Sequence, residues 1–381
     1  MTISSTRLLS RKQSVSVLVE GTPGQAETTG FKCFPCYEIS ATPEIGFIER
    51  DLFTSSLAPE QTDAVGTQFA RVTFKVDAMG AGAGTRPQWT EALFGCGMRL
   101  ASQNSVSAGT FDGDGAGTEW NIFVPENVPA QANSAITEYS KVCKTVTVKW
   151  WSDGRIFTLA GAAGNVSFSG TAGDLCYANF ELLGILTVAV GTDPSTAFDS
   201  VTPQAISQDN STYFALYEDD DNDPTTRMSS WELNMNNSYD IYKDINVEKA
   251  GRFCSITERK PTLTTTTLAF DGDVGDLLIS SMLDVDTGST TSGGYWQQQV
   301  GPISGSNYDG LWFGCQKGQI TSLDTGDENG YMTENATSKL IAGGASDADL
   351  PTDREFYLAY GADLQTGITM NALNFSTLSL T

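Results

Sequence analysis

"GNVSFSGTAGDL" (Gly164–Leu175) and "GQITSLDTGDE" (Gly318–Glu328) are the two stretches on which the reading of this chain turns. Each starts at a glycine, passes through a polar/apolar alternation and reaches Thr and then Gly-Asp. Alternation with a period of two marks a strand with one wet face, and a Gly-Asp pair marks the turn that ends it. The same wording twice in 381 residues prompts a comparison of what precedes each copy.

In the first half a long polar segment, Asp51–Gln68, leads to "ARVTFKVDA" (Ala70–Ala78). There Val72, Phe74 and Val76 share one face, and Arg71, Thr73, Lys75 and Asp77 share the other. "PQWTEALFGCG" (Pro87–Gly97) reads as a short helix. Pro87 suits its first turn, Trp89, Leu93 and Phe94 fall on one side, and Gly95 ends it. "KTVTVKWWSDGRIFTLAG" (Lys144–Gly161) is a hairpin turning at Asp153-Gly154. "NVSFS" and "YANFELL" add two further strands.

The second half follows the same plan. A polar segment, Asp244–Lys260, leads to "TTTTLAFD" (Thr264–Asp271), with Leu268 set on Phe74, Phe270 on Val76 and Asp271 on Asp77. "GDLLISSML" (Gly275–Leu283) stands where the helix stood, and Gly318 falls on Gly164. The repeated order predicts a mainly β chain of two tandem domains, residues 1–200 and 201–381, each with one short helix. The break falls in the linker-like Thr192–Gln204. Residues 101–140 and 284–310 read as irregular loops.

Charge and composition narrow the function. The net charge is −24, from 46 acidic against 22 basic residues, which argues against binding nucleic acid through its phosphates. There are no histidines, which removes His-based triads and His metal ligands. The basic cluster Arg7, Arg11 and Lys12 reads as a flexible end. The seven cysteines are odd in number and scattered, and "MTISSTRLLSRKQS" lacks the apolar core of a secretory leader. They read as reduced, buried thiols, with Cys96 and Cys176 beside apolar neighbours. "CFPC" (Cys33–Cys36) is a lone CxxC and reads as structural. No apolar run is long enough to cross a membrane. "FDGDGAG" (Phe111–Gly117) and "EDDDND" (Glu218–Asp223) look like calcium loops but lack the full ligand spacing with a distal Glu. No nucleophile-base pair, phosphate-cradling loop or cofactor fingerprint is present, so the expectation is a protein that is no enzyme and needs no cofactor. A secreted or surface carbohydrate-binding, adhesive β protein is the main alternative, on the strength of Trp150, Trp151 and Trp296 as exposed aromatics.

"ATPEIGFIERDLFTSSLAP", the strand after it and "PQWTEALFGCG" together resemble the tail tube proteins of long-tailed bacteriophages. That family shows a Thr-Pro stretch, Glu-Arg-Asp, a long loop, a strand, and Pro-x-Trp-x-x-x-Leu-x-x-Cys-Gly. "VKWWSDGRIFTLAGAAGNVSFSGTAGDL" is similar to its later hairpin and Gly-rich strand pair, and "ITERKPT" (Ile256–Thr262) to a stretch in the second half of duplicated members. The likeness covers most of the chain and is most specific at 42–57, 87–97 and 145–190.

The resemblance implies β-sandwich or barrel-like domains, six of which close a ring whose inner strands form a barrel. Rings stack into the tube through which the genome leaves. A two-domain chain would close the ring with three copies, a pseudo-hexamer. It implies a virion protein assembled in the host cytoplasm, with itself, the tape measure, the tail terminator and the distal tail protein as partners. DNA would pass without specific binding. The wet-face carboxylates Asp77, Glu181 and Asp271 are the lumen candidates. The inter-ring candidates are Asp51, Phe53, Leu57 and Glu60 in the first loop, and Asp244, Val247, Lys249 and Arg252 in the second.

Overall fold

The computed structural model describes residues 13–49, 63–81, 86–103, 120–126, 144–152, 155–190, 206, 214–216, 228–247, 249–268, 294–300, 311–341, 355–360 and 379–380. The first half contains β1 (Gln13–Val19), β2 (Lys32–Phe34), β3 (Tyr37–Ile48) and β4 (Ala64–Asp77). A 3-10 turn at Gln88–Thr90 runs into α1 (Glu91–Gly95), followed by β5 (Met98–Gln103), β6 (Trp120–Pro125), β7 (Val146–Ser152), β8 (Arg155–Thr171) and β9 (Tyr177–Val190). The second half contains β10 (Phe214–Leu216), β11 (Met228–Asn234), β12 (Asn237–Tyr242), β13 (Phe253–Arg259) and β14 (Thr262–Leu268). It continues with β15 (Gly294–Val300), β16 (Leu311–Glu328), β17 (Tyr331–Leu340), β18 (Tyr357–Tyr360) and β19 (Ser379–Leu380). The chain is mainly β, as its composition suggests.

All pairings among the described residues are antiparallel, and their order repeats. In the first half the strands lie β2-β1-β7-β8-β9-β4-β3. In the second they lie β10-β15-β16-β17-β14-β11. β10 thus takes the place of β1, β15 of β7, β16 of β8, β17 of β9, β14 of β4 and β11 of β3. The halves are joined by hydrogen bonding. Ser230–Asn234 of β11 pair with Ser167–Thr171 of β8 while β11 also pairs with β14. A second link runs from β16 through β18 to β6.

The side chains follow the alternation. In β4, Ala70, Val72, Phe74 and Val76 are buried and Arg71, Thr73, Lys75 and Asp77 are half-buried. The inward rings form a continuous chain across both halves. Phe74 stacks on Phe180 at 5.1 Å, Trp89 meets Phe168 edge-on, Phe168 touches Phe313 at 5.1 Å, and Phe313 packs on Trp231, which packs on Trp296. One core therefore serves both halves. α1 plugs it: Trp89 through Met98 are all buried, the helix ends at Gly95 as expected, and the positive φ of 74° that turns the chain away falls on Gly97.

Several expectations need correction. "NVSFS" is no separate strand but the continuation of β8, which bends at a register shift between Ala160 and Ala163, with Gly161 at φ 59°. The region 101–140 is in part a hairpin, since β5 and β6 pair from Met98↔Pro125 to Gln103↔Trp120. Residues 294–300 of the supposed second loop region are β15. Gly275–Leu283 lies outside the described residues.

The duplicated wording is also out of register with the duplicated pairing. Phe74 faces Phe180, which faces Val166. Matching faces sets buried Thr267 on Phe74, because Leu268 points to the opposite side. Thr267 faces Glu334, which faces Thr325. Gly164 then corresponds to Leu323, five residues past Gly318. Strand order repeats; the Gly-to-Gly-Asp phrase does not occupy equivalent positions.

Gly164 has its own reason to be glycine: a Cβ there would lie 1.8 Å from the Glu181 carbonyl oxygen. Gly164→Ala is expected to cost about 3 kcal/mol, the upper end for overpacking, read as a lowered denaturant midpoint.

Candidate assembly surfaces

The hairpin β3–β4 runs unbroken, but its second-half counterpart is hinged. β11 and β14 pair with each other, then the chain breaks at Met235-Asn236 and Lys260-Pro261, with Asn236 at φ 47°. The distal part continues as the separate two-stranded arm β12–β13. This arm folds over the outward face of the first half. Ile241 and Cys254 bury against Phe69, Ala163, Leu183 and Ile185, with Tyr239 and Ile256 packed alongside. Asn237 Nδ2 donates to the carbonyls of Cys96 (2.8 Å) and Gly164 (2.9 Å).

Glu181 is therefore engaged. Tyr239 Oη donates to Glu181 Oε1 at 2.6 Å, and Arg71 pairs with Glu181 and, through Nε at 2.9 Å, with Glu44. Burial, with the Glu181 hydrogen bond after it, holds the Tyr239 phenol well above its ordinary range. Asp77 is engaged too: Tyr37 Oη donates to it at 2.9 Å, and burial raises its carboxyl. Neither carboxylate stands free on a wet face, as alternation alone suggests. Asp271 lies outside the described residues.

Of the inter-ring candidates, Asp51, Phe53, Leu57 and Glu60 also lie outside them. Asp244–Lys260 is a correction. It is a compact turn followed by β13, because Cys254 and Ile256 find an apolar face to cover while Phe253 stacks on Tyr242. Asp244 accepts from Asn246 N at 2.8 Å and pairs with Arg252 at 3.5 Å. The Val247 carbonyl accepts from Ala250 N at 3.1 Å. Lys249 Nζ donates to the Leu186 carbonyl and, at 2.6 Å, to Thr187 Oγ1. Residues 64–68, read as loop, belong to β4 and pair with β3.

Register assigns these elements to two ends of the strand axis. The lower end holds the pair Ile48–Ala64 of β3 and β4, the pair Ser152–Arg155 of β7 and β8, the end of β9 and the β12–β13 turn. The upper end holds the β8–β9 turn and the β16–β17 turn at Asn329-Gly330, where both residues have positive φ. Ala64–Gln68 of the first inter-ring segment and the turn at Asp244–Arg252 of the second belong to the lower end. Sequence reading missed the upper one, although Asn-Gly between alternating strands is a strong hairpin signal.

Among the described residues no group of three or more His, Cys, Asp or Glu side chains is placed to hold a metal ion. Both acidic loops lie outside them. Trp296 is buried, contrary to its reading as an exposed aromatic, because it sits against Trp231 in the core. Trp150 and Trp151 are half-buried, Trp150 stacked on Phe157 at 4.5 Å. Cys33, Cys96, Cys176, Cys254 and Cys315 are buried and Cys36 is half-buried; all six are free thiols. No helix of the described residues is long and apolar enough to cross a membrane. No family model matches the chain, and no curated protein sequence matches it.

Two measurements check this account. Tyr239→Phe should cost about 1 kcal/mol, a hydrogen bond to a charged group discounted for exposure, and amide exchange should quicken at Ile256 before the core. Burial pushes the Cys36, Cys254 and Cys315 thiols up from 9.0 to about 12. The unfolded chain loses those protons first, so stability is complete below pH 9 and falls as pH rises towards 12. Thiol reagents at pH 8 should react slowly with native protein and count all seven cysteines after denaturation without reductant.

Proposed function

We propose that the chain is a structural virion protein, the tail tube subunit of a long-tailed phage. Three copies close a ring, and stacked rings form the conduit for genome ejection. The observation that supports this best is the repeated pairing order, with β11 inserted between the halves. β11 pairs with its own β14 and with β8 of the other half. Its counterpart β3 pairs only with β4 among the described residues, and the distal part of β16, the counterpart of the β8 edge, pairs only with β17. A chain that already joins unlike halves through one such edge has the parts to join the next copy through the other, and a rotation that closes gives a ring.

In this reading the protein is not an enzyme and takes no cofactor. Its partners are its own copies, then the tape measure, tail terminator and distal tail protein. DNA slides past a surface whose cations are engaged: Thr73, Asn165, Ser167, Asn179, Thr264 and Thr266 alternate on the outward side of the central strands, Arg71 there pairs with Glu44 and Glu181, Lys75 lies over the Tyr177 ring, and the chain as a whole is strongly acidic. In this reading the chain divides into domains 1–200 and 201–381, one set of strands to each. Native mass spectrometry of disassembled rings should give three chains per ring, and a reconstruction without imposed symmetry should give true threefold order. Six chains per ring, or a net basic bore, overturns the proposal.

A further inference from the structure

Every large hydrophobic residue exposed among the described residues lies at one end of the strand axis or the other. At the lower end Phe47 is 62% exposed, Ile48 59%, Val65 55% and Ile245 98%. At the upper end Tyr331 is 70% exposed and Met332 55%. Side chains of this size are not left in water at both tips of a molecule without consequence, and patches rimmed by polar residues mark contact sites.

Charge divides along the same axis. The upper end carries exposed Asp174, Asp327 and Glu328. Lys75 is the cation beside them, and it lies over the Tyr177 ring at 3.7 Å. The lower end carries Arg155 and Lys243, both exposed, with Lys249 and Arg252 on the same turn. Glu49 and Asp63 sit there too, and Asp244 pairs with Arg252, so the lower end is mixed in sign while the upper is acidic.

We propose that the two ends are one heterologous interface: the β16–β17 turn, led by Tyr331 and Met332, seats against Phe47, Ile48 and Val65 of the β3–β4 ladder and the β12–β13 turn at Ile245 of a second copy placed along the strand axis. The inference rests on the tube reading and deepens it. It names the surface that receives the lower-end segments, which sequence reading left without a counterpart. The occupant is another copy because the two surfaces complement each other, apolar to apolar, with the acidic end meeting the end that exposes Arg155 and Lys243, and they lie at opposite ends of one chain. Such ends repeat along a line, whereas two identical ends in contact would stop at a pair.

The test uses full-length Tyr331→Asp and Phe47→Asp. Both side chains are mostly in solvent, so each variant should melt within a few degrees of the parent; Met332→Asp and Val65→Asp serve if either fails to fold. Each alone should stop axial growth, read by sedimentation velocity and electron microscopy. Mixed in equal amounts they should form an assembly of two units and no more, because one variant keeps a sound lower end and the other a sound upper end. Asp327→Lys with Glu328→Lys should weaken axial growth at least tenfold at low salt. Variants that polymerise like the parent overturn the interface while leaving the tube reading intact. Tyr331→Asp pairing with itself shows like ends meeting and also overturns it. A parent that grows head to tail without closing rings supports the interface and overturns the tube. A parent that stays monomeric at every concentration overturns both.

Discussion

The short ladder between Ser167–Thr171 of β8 and Ser230–Asn234 of β11 is the constraint on which the rest of the chain depends. It turns two sets of strands into one hydrogen-bonded network, and it brings the aromatic rows on either side into contact. Without it, Phe168 and Phe313 would belong to separate cores, each too thin to bury Trp89 on one side and Trp296 on the other. Large aromatic side chains carry most of the apolar area in a core, so the seam and the ring contacts across it support each other.

The hinge at Met235-Asn236 and Lys260-Pro261 follows from the same geometry. With β11 held between β8 and β14, the hairpin that begins there cannot continue straight without leaving its apolar side chains in water. It bends, and Ile241, Cys254 and Tyr239 come down on the outward face of the first half. Asn236 accepts the positive φ that the bend requires, and Pro261 ends one ladder where it could not have continued as an interior residue. Among the described residues the first-half hairpin has no such bed, and Phe47, Ile48 and Val65 stand exposed.

Sequence made the class and the order of elements legible because β4 and the second part of β8 alternate cleanly and because Pro87 and Trp89 announce a helix. It misled where likeness was read residue by residue. Leu268 looks like Phe74 but points the other way, since a one-residue slip in a strand exchanges its faces. Gly318 looks like Gly164, yet the latter is glycine because the Glu181 carbonyl presses on it. The candidate surfaces were half legible. Polarity marked Asp244–Lys260 as a loop, but the apolar pair Phe253-Cys254 recruits its second part into a strand. Wet-face position suggested free carboxylates at Asp77 and Glu181, but nothing local in sequence reveals that Tyr37 and Tyr239, far along the chain, arrive to bind them.

The seam also bears on how the chain is made. The β8 edge is synthesised well before β11, so a nascent first half presents an open strand edge to any neighbour doing the same. Edges of this kind invite pairing between molecules and exchange of equivalent strands. β11 follows β9 by only a few tens of residues, and a tether of that length holds its strand near the edge at millimolar effective concentration, above that of any second chain in a cell. The proper partner therefore reaches the edge first for a kinetic reason, and a longer connection between the halves would cede that advantage to swapped, cross-linked chains.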